Sequence, residues 1–205
     1  MEFLSRLGGG RKRRALPIFP LATVLFPGSL LPLRIFEVRY IDMARACLRD
    51  SAPFGVCLIR EGEEVGAPAV PEPVGCEAVI ADCDAEELGI LKVRAEGRGR
   101  FRIVATEVNR QGLIVGEVED IDAEAPQPDA PGLAQSAEFL RKAIAGIGEE
   151  RFAPPFAFDD ASWVGFRLAE ILPLRMDVKQ KLLELTDASM RLAVLHKFLK
   201  QQELI

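Results

Sequence analysis

Apolar residues are spaced in several ways along this chain, and each spacing predicts a different kind of element. Residues 16–36, LPIFPLATVLFPGSLLPLRIF, are densely apolar but interrupted by Pro17, Pro20, Pro27 and Pro32. Proline removes a backbone donor and clashes inside a helix, so the segment predicts short strands joined by corners. Pro27-Gly28 marks a turn. From Glu37 to Arg49 the period lengthens. Tyr40, Ile41, Ala44, Cys47 and Leu48 form one helical stripe, with Arg39, Asp42 and Arg49 off it and Pro53 beyond the end. Phe54 to Ile59 is a continuous apolar run of strand length, suited to burial on both faces. Residues 61–73 are rich in Gly, Pro and Glu and predict a loop, and Val74 to Ala81 predicts another strand. The clearest alternation runs from Leu91 to Ile103. Leu91, Val93, Ala95, Phe101 and Ile103 share one face, and Lys92, Arg94, Glu96, Arg98, Arg100 and Arg102 share the other. Gly97 and Gly99 fall on the apolar side, where glycine predicts a bend, a bulge or the close approach of another backbone. Asn109 to Gly112 turns the chain and Leu113 to Val118 returns it. This half predicts a mainly β subdomain over 16–120 that closes on itself as a bent barrel.

Residues 119–132, EDIDAEAPQPDAPG, are acidic and proline-rich, and 121–132 predict a linker. Beyond it the period is helical, giving a helical subdomain over 133–205. Helices are predicted over Leu133 to Ile147, over Ala161 to Leu172 after the cap pair Asp159-Asp160, and from Asp177 through Leu185, where Asp177 and Gln180 fit a capping box. A last helix begins at Asp187, with Leu192, Leu195 and Leu199 as its core stripe. Pro154-Pro155 breaks the region between the first two.

Charge adds a division at the N-terminus. The chain has 205 residues and a net charge of -5, but residues 1–15 carry Arg6, Arg11, Lys12, Arg13 and Arg14 against Glu2 alone. They predict a flexible, solvated basic tail. The acidic remainder disfavours a nucleic-acid partner. Four prolines in the apolar stretch after the basic run exclude a signal-peptide core, and no apolar run reaches the length of a membrane span. The four cysteines Cys47, Cys57, Cys76 and Cys83 form no C-x-x-C and have one histidine, His196, to join them. That excludes the usual zinc patterns and suits small apolar fillers in a reducing cytoplasm. Cys76 and Cys83 are an odd number apart and are expected on opposite faces of a regular strand. The loop acids Glu61, Glu63, Glu64, Asp82, Asp84, Glu86 and Glu87 predict solvated charge rather than a metal site. No phosphate-binding loop, G-x-S-x-G or S-x-x-K is present, and His196 on the last helix predicts a partly exposed helix-face residue. No catalytic residue, cofactor or metal is expected.

Two features are candidates for a binding surface. The row Arg94, Arg98, Arg100 and Arg102 would line up guanidinium groups able to take phosphates or acidic peptide segments, unless they pair with Glu96 and neighbouring acids. Phe152 and Phe156 flank Pro154-Pro155, where an irregular connection can bring an aromatic to the surface, although core packing is the ordinary fate of such residues.

Residues 16–28, L-P-I-F-P-L-x-x-V-L-F-P-G, and 31–40, L-P-L-R-I-F-E-V-R-Y, resemble the opening of the Lon protease N-terminal domain family. F-G-V-C-L-I-R-E-G at 54–62, the glycine-arginine strand at 97–103, K-Q-K-L-L-E-L-T-D at 179–187 and R-L-x-x-L at 191–195 are similar to later parts of it. The resemblance implies an α+β fold, a PUA-like bent β-barrel of about six strands and a short helix followed by a C-terminal helical bundle. It implies a stand-alone copy of the substrate-binding region, without the ATPase and protease parts and so not an enzyme. The function it implies is a protein- or peptide-binding module for unfolded or extended polypeptide, or an accessory to proteolysis, with a protease or chaperone as candidate partner. RNA binding, known among PUA-like barrels, is the alternative.

Overall fold

The computed structural model describes residues 12–84 and 89–205. Arg6, Arg11, Glu86 and Glu87 lie outside them. The first half contains β1 (Arg13–Leu21), β2 (Leu30–Ile35), α1 (Val38–Asp50), β3 (Phe54–Glu61), β4 (Val70–Pro71), β5 (Val74–Cys83), β6 (Leu91–Val108) and β7 (Ile114–Ile121). The second contains α2 (Leu133–Ile147), α3 (Ala161–Ile171), α4 (Met176–Glu184) and α5 (Ala188–Gln201). The fold is α+β. The sheet runs β1-β7-β6-β5-β3-β4, and β1, at one end, also pairs parallel with β3, the strand next to the other end, without making the clear barrel expected from the sequence. Strand β2 lies off this path and pairs antiparallel with the first part of β6. Arg13 and Arg14, expected in the tail, are in β1 opposite Glu119 and Val118 of β7.

The alternation along β6 places Leu91, Val93, Ala95 and Phe101 in the core. Gly97 is there because of a close approach: a Cβ on it would lie 2.2 Å from the Phe26 carbonyl oxygen. Its N–H donates to Ser29 and its carbonyl accepts from Gly28, so the Pro27-Gly28 turn is pinned to the strand. A register shift between Ile80 and Asp82 re-phases β5, so Cys76 and Cys83 both contact the same core cluster instead of opposite faces. All four cysteines are free. Arg39, expected off the helical stripe of α1, is buried and donates to the carbonyls of Gly66 and Gly112 and to Glu37.

Helix α3 starts as its sequence predicts, with the Asp160 carboxylate accepting from the N–H groups of Ser162 and Trp163. Asp187 caps α5 by accepting from Met190. The capping box at α4 does not form. Arg175 takes the cap position, Asp177 pairs with Arg175, and Gln180 donates to the Val74 carbonyl of β5 and to Glu184. Gln180 thus ties the bundle to the sheet. Phe26 and Val74 from the β half also belong to the apolar cluster of the bundle.

Candidate functional site

The contact between the two halves is built on buried charge. Glu124, in the segment expected to be a linker, accepts from Arg100 Nη2 at 2.8 Å, Arg191 Nη1 at 2.8 Å and Ser162 Oγ at 2.6 Å. Arg100 also donates to the carbonyls of Leu183 and Leu185, and Arg191 to those of Leu182 and Leu185. These are the last carbonyls of α4, which lack helical partners and attract cations. The Phe166 ring lies under both guanidinium groups. Burial by itself would raise the Glu124 carboxyl. Hydrogen bonds from Arg191 and Ser162 and the charges of Arg191 and Arg100 outweigh it, and the carboxyl is held below its ordinary value of 4.5. A second anchor comes from α3. Arg167, fully buried, donates to the carbonyls of Pro27 and Gly28 and to Ser29 Oγ, and pairs with Glu170.

This network corrects the expectation for two of the six candidate surface residues. Arg100 is not part of an exposed row. Its outward position on β6 is covered by the end of α4, and it is 5% exposed. Phe152 is also 5% exposed and packs into the bundle cluster. The other four are at the surface. Arg94 pairs with Asp82 at 3.3 Å and Arg98 with Glu96 at 3.0 Å. Arg102 is exposed opposite Glu119 and Val74. Phe156 is 37% exposed and packs against Phe158 and the edge of Trp163.

Anchoring the bundle on the outside of β6 leaves a cleft of 560 Å³ at the junction. Leu30, Pro32, Ile147, Ile171 and an edge of Phe152 make its apolar lining, and Arg94, Arg151, Glu150 and Glu170 supply its charges. Burial pushes the Glu170 carboxyl up from its ordinary value, with Arg167 opposing. Sequence reasoning found Arg94 and Phe152 of this set. Ile147 carried a weak signal as an apolar residue at the very end of a helix, and it is 40% exposed.

His196 and the cysteines do not line this cleft. His196 Nδ1 lies 3.0 Å from Ser136 Oγ, but Ser136 is fully buried on α2 and cannot meet a substrate. Burial lowers the His196 pKa, with help from Lys200. Burial also raises the Cys57 and Cys76 thiols, the latter to about 12, which suits packing rather than nucleophilic chemistry. Among the described residues, no group of three or more His, Cys, Asp or Glu side chains is placed to hold a metal ion. No helix among them is long and apolar enough to cross a membrane.

The chain is similar to known proteins over most of its length. The model of a family described as the ATP-dependent protease La (LON) substrate-binding domain matches residues 15–201. Lon protease 1 of Syntrophobacter fumaroxidans is 27% identical over 187 residues, which is 87% of this chain and 23% of that protein. Protein cereblon of Danio rerio is 29% identical over 107 residues, 51% of this chain and 25% of that protein. The chain therefore spans about a quarter of the length of these curated relatives. Among solved structures, a Lon N-terminal domain protein from Xanthomonas campestris superposes with a TM-score of 0.74 at 37% identity, covering 89% of this chain and 96% of that one. The N-terminal domain of a Mycobacterium avium complex Lon protease has the same fold, with a TM-score of 0.65 at 21% identity over the same shares.

Proposed function

Since the chain belongs to the Lon substrate-binding domain family, we propose that it is a non-catalytic module that captures unfolded or extended polypeptide at the sheet–bundle junction, as an accessory to proteolysis. The observation that carries this reading is the junction cleft, where apolar side chains from β2, α2 and α3 meet beside charges of both signs. Concave apolar surface with a few polar groups at its rim is how a site holds a side chain of a partner while leaving its sequence loosely specified. The cleft is held open by rigid parts. Its walls stand on elements joined through Glu124, Arg167 and Gln180, so little ordering is required on binding.

The test is anisotropy of a fluorescently labelled, permanently unfolded client titrated with the protein. Binding is expected, and Ile147→Asp should weaken it about tenfold by putting a charge in the apolar lining. Ile147 is partly exposed at a helix end, so the variant should melt within a few degrees of the parent. A client that ignores the protein, or binds the variant equally well, contradicts the reading. So does single-stranded RNA bound in preference to the client.

A further inference from the structure

Strand β2 has an open edge. Among the described residues it pairs with β6 and with no other strand. The phase of that pairing follows from the adjoining contact, in which the Gly97 N–H donates to the Ser29 carbonyl at 2.9 Å. Hydrogen-bonded positions recur every second residue in an antiparallel pair. Leu31, Leu33 and Ile35 therefore bond to β6, and Leu30, Pro32 and Arg34 turn their backbone groups away from it. Pro32 sits where its missing N–H breaks no ladder bond. Three carbonyls and the N–H groups of Leu30 and Arg34 remain along the edge.

The outer face beside the Arg34 end of this edge is cationic, while Glu96 stands opposite Leu30 at the other end. Arg34 stands directly opposite Lys92, and Arg94 opposite Pro32. Like charges across a strand pair cost stability. Arg34 and Lys92 are exposed and have no carboxylate partner among the described residues, while Arg94 has only the exposed Asp82. Along the strand lies a cleft of 260 Å³ lined by Phe19, Leu33, Ile35 and Tyr40, with Phe36, 53% exposed, beside it, and its two carboxylates are already engaged, Glu37 by Arg39 and Glu64 by the Ala22 N–H.

We infer that the open edge of β2 receives an extended acidic segment of a partner polypeptide as an added strand. Its backbone meets Leu30 and Arg34, its carboxylates meet Arg34, Lys92 and Arg94, and an apolar side chain covers the cleft. The inference rests on the polypeptide-binding reading and gives it a chemistry and a register. A nucleic acid has no ladder of alternating N–H and C=O groups to match the edge. A second copy of β2 would bring its own Arg34 beside this one.

The experiment uses two short labelled peptides, one alternating Val with Glu and one alternating Val with Lys, titrated against the protein and the double variant R34E/K92E. The Glu peptide should bind the parent about tenfold more tightly than the Lys peptide at low salt. The preference should shrink as salt rises and reverse in the double variant. N-methylation of alternate backbone amides in the Glu peptide should abolish binding. No preference, or one that survives the double reversal, overturns the inference, as does tight binding of the N-methylated peptide. Single-stranded RNA that displaces the Glu peptide and binds more tightly also overturns it. An unfolded client that binds parent and double variant equally overturns the inference but leaves the junction-cleft reading standing, whereas failure of every polypeptide overturns both.

Discussion

Glu124 faces two guanidinium groups and a hydroxyl from a segment whose composition suggests a solvated linker. Its side chain is 4% exposed, and those of Arg100 and Arg191 are 3% and 0%. Removing the carboxylate leaves two buried cations without their anion, so Glu124→Gln should cost about 3–5 kcal/mol in urea unfolding at neutral pH. The pH dependence has a definite sign. A carboxyl held below its ordinary value in the folded state stabilises the fold above the unfolded value and gives that stability up as pH falls through the folded one. The parent should therefore lose stability as pH falls below about 4.5, and Glu124→Gln should lose less over that window. Equal slopes would show that Glu124 does not carry the linkage. Gly97→Ala is the second test at this scale. The added Cβ would meet the Phe26 carbonyl oxygen, a backbone atom that cannot swing aside. A loss of roughly 2 kcal/mol or more in a thermal melt is expected, and an unchanged melting temperature would contradict the close approach. The sequence carried half of these residues' roles. Gly97 was legible because glycine interrupts a strict alternation. Glu124 was not, because its partners lie 24 and 67 positions away in the chain.

At the level of elements, local patterns predicted what local physics controls. The α2 helix spans Leu133–Ile147, and the Asp160 and Asp187 caps form, because a cap needs only the N–H groups two or three residues ahead. Asp160→Ala should accordingly cost about 1 kcal/mol in unfolding while leaving client binding unchanged. A loss of binding beyond that explained by unfolding would place the N-terminal end of α3 in the site, as well as the Ile171 end that lines the cleft. Patterns failed where one element covers another. Arg100 obeys the alternation of β6 and points outward, yet the end of α4 lies over it and uses its donors. The capping box at Asp177 failed for a similar reason, since Gln180 is engaged by the carbonyl of Val74. Phe152 follows the ordinary rule that an aromatic beside a bundle is packed into it. Surface predictions from a strand's period therefore hold only as far as the strand is uncovered.

For the whole molecule, the long motifs at 16–28 and 31–40 made the family and the α+β class legible in the sequence. The candidate site was only partly legible, because a cleft is a property of two halves brought together. Arg94 and Phe152 line the junction cleft, whereas Arg98, Arg102 and Phe156 lie elsewhere on the surface. On the proposed function, polypeptide binds beside β2 and the α2 end, on a frame that stays rigid. Amide hydrogen exchange of the protein with and without a saturating unfolded client tests this most directly. Residues 30–35 and 147–152 should gain protection, with exchange around Glu124 unchanged. Protection confined to other segments, or none at saturation, would contradict it.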